Sequence, residues 1–280
     1  MSDSHTPGDF FVEGTPHITP DHMLDVRARQ LGFARDALRL PPTCVATFFP
    51  QTARELALAV GLDPTPVDTD QGNWRLAAND QIAVGRLPMG VPHAASLFEQ
   101  MVSAGTERLI IVGAAGSLQP TIEVGHLVIP TDIIREEGTS YHYLPADEPA
   151  RADADLAAQL SDAVSAEGQE PHRGLHWTTD AIFREQEEKI VDFRSRGMLS
   201  VDMEISVLYA VAPCISASPA RPSLASPTCS TPPRAGGCSA RPRVSSTLVL
   251  PPLAAGRAAG PIPAVRARTP SPSALPSVPR

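Results

Sequence analysis

Apolar positions recur at roughly helical spacing over 21–40, where Met23, Leu24, Val26, Leu31, Phe33, Ala34 and Leu38 predict one buried face before Pro41-Pro42 ends the run. An apolar stretch at 44–49 then reads as a buried strand. Residues 52–60 predict a helix closed by Gly61, and a turn-rich stretch with Pro64, Pro66, Gly72 and Asn73 leads to a strand at 81–84. A helix over 92–104, closed by Gly105, precedes a strand at 109–112. Strand, helix and strand in alternation predict an α/β domain with a mostly parallel sheet.

The run Val112-Gly-Ala-Ala-Gly-Ser-Leu118 follows that strand directly, so its glycines are expected in a sharp turn at the carboxyl edge of the sheet, where open α/β folds bind ligands. A short strand at 126–130 precedes a polar loop over 135–143, and two helices are expected at 153–167 and 184–196. The last ordered piece runs over 199–212, a short strand feeding a helix with Ile205, Leu208, Tyr209 and Ala212 on one face. Pro213 is expected to end it, since proline removes a donor and clashes with the preceding turn.

Composition changes the picture at that proline. All 31 acidic residues lie at or before Glu204, while the stretch 213–280 holds 15 of the 30 prolines and no Asp, Glu, Lys, His or aromatic residue. The formal net charge of −8 therefore divides into −16 for 1–212 and +8 for 213–280. The expected organisation is one domain over 1–212, incomplete at its C-terminus, and a Pro/Ala/Ser/Arg-rich tail over 213–280. The tail reads as disordered chain, or as out-of-frame translation of a GC-rich gene, since such a mixture buries too little apolar surface to offset chain entropy.

An acidic body argues against nucleic acid as a partner, because phosphate backbones need a basic face. Cys44, Cys214, Cys229 and Cys238 lack the paired short spacing of a zinc site, so neither a metal nor a disulfide framework is expected. No apolar stretch is long enough to span a bilayer, and the N-terminus lacks a basic start followed by an apolar run, so a cytoplasmic protein is expected.

Three ordered motifs carry a resemblance. Pro88-Met-Gly-Val-Pro-His93, the glycine run at 112–118 followed by Val124-Gly-His-Leu-Val-Ile-Pro130, and Val201-Asp-Met-Glu204 ahead of a helix together resemble the nucleoside phosphorylase superfamily. Thr15-Pro-His-Ile18 is similar to an N-terminal segment of its bacterial purine branch, and 137–144 leans towards the uridine phosphorylase-like branch. The resemblance implies a three-layer α/β/α fold with a mixed, mostly parallel sheet. Here the C-terminal part reads as missing or replaced by the tail, so a buried strand and a covering helix are expected to be lost.

The activity implied is phosphorolysis of a nucleoside to free base and ribose 1-phosphate, with inorganic phosphate as co-substrate and no other cofactor. A carboxylate at Glu204 accepts from both ribose hydroxyls, with Met203 as an apolar surface for the sugar; without the resemblance, Glu204 reads as an acid favoured at a helix start. His17, carried over, reaches a neighbouring subunit's ribose and implies a homo-oligomer, dimer-based and up to a hexamer. The base falls to Ile182, Phe183 and Gln186, although Glu188 stands where uridine phosphorylases carry an arginine and Gln186 reads equally well as a surface helix residue.

Phosphate or glycine-turn positions fall on Gly90, His93, Gly113, Ala114 and Gly116. Ile111 and Ala114, however, replace the family's phosphate-binding arginine and hydroxyl, and the family's early phosphate loop is absent. Charge then has to come from elsewhere, Arg54 or Arg86 being candidates that otherwise read as surface arginines. No catalytic acid or base is assigned. Hydrolysis by a nucleosidase of the same superfamily and nucleoside binding without catalysis are the alternatives.

Overall fold

Helix α1 (Pro20–Leu31) is shorter than its apolar pattern predicts, because Gly32 adopts a left-handed conformation at φ 70° and caps it. Leu38 is still buried, but on a separate 3-10 turn, Arg35–Leu38. The computed structural model describes residues 10–68, 76–217 and 243–249. Strand β1 (Thr43–Thr47), helices α2 (Pro50–Ala59) and α3 (Thr65–Asp68), strands β2 (Leu76–Ala78) and β3 (Ile82–Arg86), helix α4 (Val91–Ser103) and strand β4 (Arg108–Ala114) follow in order. The chain continues through β5 (Gly116–Ser117), β6 (Leu127–Glu136), β7 (Ala150–Arg151), α5 (Ala154–Ala166), β8 (His172–Thr179), α6 (Glu187–Ser195), β9 (Ser200–Asp202), α7 (Ile205–Ala217) and β10 (Arg243–Val249).

The strands form one sheet in the order β2-β3-β1-β4-β10-β6-β8-β9-β5, with β7 paired to β6 off that path. Strands β3, β1, β4 and β10 run parallel, as do β6, β8 and β9, and the two blocks meet antiparallel between β10 and β6. Alternation along β1 sends Cys44 and Ala46 into a core with residues of α1, α4 and α7, while Val45 packs against Ala53, Ala57 and Val67 of α2 and α3. Helices therefore cover both faces, giving the expected α/β/α layers with a mixed, mostly parallel sheet.

Several expectations need correction. Helix α7 does not stop at Pro213 but runs through it to Ala217. Every residue from Glu204 to Ala212 is buried, and that packing outweighs the lost backbone bond at the proline. Strand β6 extends to Glu136, into the expected polar loop, because Arg135 is itself buried. Its guanidinium donates to Ser140 Oγ at 2.9 Å and to the carbonyls of Leu144 (3.0 Å), Pro145 (2.9 Å) and Glu148, so the loop is built around it.

Arg243–Val249 is a strand at the centre of the sheet, hydrogen-bonded to both β4 and β6, so that position is filled from within the tail. The remaining expectations for the tail, over 218–242 and 250–280, lie outside the described residues.

The glycine run is not one turn: Gly113 lies within β4 and pairs with Leu248, and after a break at Ala115 the chain changes neighbours, Gly116 pairing with Val201 of β9. A Cβ on Gly116 would lie 3.0 Å from Val201 Cγ1, so any larger residue there presses on the Val201 side chain. Gly116→Ala is expected to cost about 1–3 kcal/mol by overpacking. In a thermal-denaturation double-mutant cycle, adding Val201→Ala should destabilise less than the two single changes summed, whereas strict additivity would remove this explanation.

Candidate functional site

Two helix starts meet, one following β3 and the other following β9. Gly90 precedes α4 at φ 90°, a conformation that residues with a Cβ rarely adopt, and presents its N–H to Glu204, which precedes α7. The bond from Gly90 N to Glu204 Oε1 is 2.9 Å, and Glu204 is only 6% exposed. Burial, reinforced by the nearby Asp202 carboxylate, pushes the Glu204 carboxyl up to about 7, despite hydrogen bonds from the backbone N–H groups of Gly90 and Met203.

Asp202 is held much more fully. Its Oδ2 accepts from the N–H groups of Glu204 (3.2 Å) and Ile205 (3.0 Å), satisfying two otherwise free donors at the start of α7. Its Oδ1 accepts from Thr178 Oγ1 at 2.7 Å and lies 2.9 Å from His176 Nε2. An ionised carboxylate only accepts, so His176 donates through Nε2 and turns Nδ1 towards Ser200 Oγ, 2.9 Å away. All of these side chains are buried.

The network continues. Thr178 Oγ1 accepts from Ser206 N (3.1 Å), and Ser206 Oγ donates to Glu137 Oε1 (2.9 Å). Glu137 Oε2 in turn accepts from the N–H groups of Thr139 (2.7 Å) and Ser140 (3.0 Å). Asp180 lies beyond the end of β8, 3.4 Å from the Gly138 N–H. Burial, with Glu137 nearby, holds the Asp180 carboxyl above the usual range.

Glu204 is a member of this network that retains acceptor capacity. A carboxylate offers about four acceptor positions, and two backbone donors leave room for about two more. That capacity suits a vicinal diol. Among the described residues, no three His, Cys, Asp or Glu side chains gather as a metal site, and no helix is long and apolar enough to cross a membrane.

A family model described as the phosphorylase superfamily matches residues 65–217, which include every residue of this network. The chain belongs to the phosphorylase superfamily. Over 124 residues it is 33% identical to a guanosine phosphorylase of Halorubrum lacusprofundi, covering 44% of this chain and 52% of that protein. It is 30% identical over 144 residues to a uridine phosphorylase of Thermococcus kodakarensis, covering 47% and 52%. The chain thus spans about half the length of the curated relatives it matches. A crystal structure of uridine phosphorylase from Vibrio fischeri ES114 shares the fold, with a TM-score of 0.59 at 20% identity over 75% of this chain and 79% of that one.

On this superfamily scaffold, Gly90, expected at a phosphate or glycine-turn position, donates its N–H to Glu204, which Met203 directly precedes. Gly116 lies beside Val201 on β9, and His93 is an exposed residue in the first turn of α4. Ile182 and Phe183 follow β8 on a 3-10 turn and are exposed, Phe183 at 92%, and Gln186 is exposed at the N-cap position of α6, where its side chain makes no capping bond. His17 is exposed ahead of α1, and nothing among the described residues joins it to Glu204.

His176, Thr178, Asp180, Ser200 and Ser206 were not singled out by the sequence, and Glu137 and Asp202 entered only as parts of motifs. Buried polar side chains on a strand do not produce apolar alternation. The available signal was the neighbouring pair Asp202 and Glu204, since two carboxylates this close at the start of a buried helix require dedicated partners.

Proposed function

We propose that this chain is a nucleoside phosphorylase of the uridine phosphorylase type, cleaving the N-glycosidic bond of a nucleoside with inorganic phosphate. The observation that carries this reading is the Glu204 carboxylate, held between the starts of α4 and α7 with acceptor capacity for the ribose 2′- and 3′-hydroxyls. Met203 lines the sugar, and the exposed turn bearing Ile182 and Phe183, with Gln186, closes over the base. His17, exposed and away from Glu204, serves the ribose of a neighbouring subunit in a homo-oligomer.

In the reaction, a phosphate oxygen bonds to C1′ as the C1′–N bond breaks. The base leaves with the bonding electron pair and takes up a proton from water. Fixing the sugar through Glu204 orients C1′ for that attack, and positioning of this kind supplies much of the acceleration in such reactions.

Hydrolysis is the second reading. It is favoured by Ile111 and Ala114, since the resemblance puts phosphate ligands at these positions and Ile111 is instead fully buried in the apolar core. Incubating the chain with uridine or guanosine, with and without phosphate, distinguishes the two. Phosphorolysis requires phosphate-dependent release of base with ribose 1-phosphate; phosphate-independent release with free ribose would replace it by hydrolysis.

A further inference from the structure

Arg86 closes β3 opposite Thr47, its register partner on β1. Ala83 packs into the core shared with α1, α4 and α7 and Val84 into the core beneath α2 and α3, so alternation sends Arg86 out on the α2 side. Arg86 is half-buried, and its Nε is fully buried with no hydrogen-bond partner among the described residues. A guanidinium is always charged and carries only donors, so burying one of its N–H groups unpaired is unfavourable unless an acceptor arrives from outside.

The surroundings favour an anion as that acceptor. Thr47 leads through Phe48 and Phe49 into α2, whose N-cap Phe49 makes no side-chain capping bond and whose first turn contains no acid. The positive end of α2 thus adds to the Arg86 charge at one edge of the sheet, on the same face. Gly90, the donor to Glu204, follows Arg86 by four residues, so the Cα atoms of Arg86 and Gly90 are at most about 14 Å apart.

We propose that Arg86 binds the phosphate that attacks the nucleoside, an assignment that rests on the phosphorolytic reading above. The cation reaches the phosphate from β3, compensating for the hydrocarbon side chains of Ile111 and Ala114. The planar guanidinium can pair two of its N–H groups with two phosphate oxygens, including the donor that is otherwise unsatisfied.

The test compares the full chain with Arg86→Met and Arg86→Lys. Initial rates at varied phosphate and nucleoside should show the KM for phosphate raised roughly 10- to 100-fold in Arg86→Met. The KM for nucleoside should stay within about twofold, and Arg86→Lys should recover part of the loss. Titration calorimetry with inorganic phosphate alone should show binding to the parent chain and loss of it in Arg86→Met. The thermal midpoint without phosphate should hold or rise in Arg86→Met, whereas a merely structural arginine would lower it.

An unchanged KM for phosphate, equal phosphate binding by parent and variant, or no binding by the parent would overturn the assignment. Phosphate-independent release of free ribose would instead remove the phosphorolytic reading. In that event the calorimetry still decides whether Arg86 holds an anion.

Discussion

Replacing Glu204 by alanine is expected to lower kcat/KM for the nucleoside by roughly 100- to 1,000-fold, since two hydrogen bonds from ribose to a charged acceptor are lost. The same change should cost little stability above neutral pH, because it removes a buried carboxylate that is ionised there. Steady-state kinetics beside thermal denaturation separates these effects. A variant that unfolds, or one that keeps full turnover, would contradict the ribose assignment.

The pH dependence follows from the same carboxyl. Its folded value of about 7 lies above the usual 4.5. Protonation therefore favours the folded chain: the contribution is fully present below 4.5 and is lost as pH rises through about 7. The thermal midpoint of the parent chain should fall across that range relative to Glu204→Gln, in which this contribution is absent. Nucleoside affinity should move the other way and strengthen as Glu204 ionises, because only the carboxylate is a pure acceptor. Binding without phosphate is the suitable measurement, since inorganic phosphate titrates in the same region. An affinity that is flat across it would show that Glu204 does not hold the sugar as an anion.

Asp202→Ala should have the larger effect on folding. Asp202 accepts from two backbone donors at the start of α7 and from His176 and Thr178, all buried. Removing one centre that serves several buried polar groups costs about 3–5 kcal/mol. For a domain of this size, that lowers the thermal midpoint by on the order of 10 °C. Asp202→Asn should recover part of the loss, because its carbonyl can still accept from the helix while its amide faces donors at His176 and Thr178. A midpoint within about 2 °C of the parent for Asp202→Ala would show that the network is not the support inferred here.

The βαβ grammar of the first half was legible because β1, α2, β3, α4 and β4 bury hydrocarbon at ordinary spacing. Strand β8 was not, because His172-Arg-Gly-Leu-His-Trp-Thr-Thr179 buries His176 and Thr178 as hydrogen-bonded polar groups and so reads like a loop. The candidate site was obscured for the same reason. Glu204 stood out through its motif, while the side chains that support its helix have no period to betray them. Glycines misled in the opposite direction: Gly113 and Gly116 suggested a turn, but one lies within a strand and the other allows close approach to Val201. Proline rules failed at Pro213 because the helix ahead of it, up to Ala212, is buried tightly enough to tolerate the defect.

The position of β10 has a consequence for how the molecule is made. Strands β4 and β6 each gain a neighbour only when residues 243–249 pair between them, although both strands precede those residues by more than 100 positions. During synthesis, the centre of the sheet therefore stays open while its two parallel blocks are already emerging. Closure of so distant a pairing is slow compared with local helix formation. Until it occurs, each nascent chain displays two long apolar strand edges, the form in which neighbouring polypeptides pair with one another instead. Growth temperature and chaperone supply should therefore govern the yield of folded protein more strongly than the final stability of the sheet.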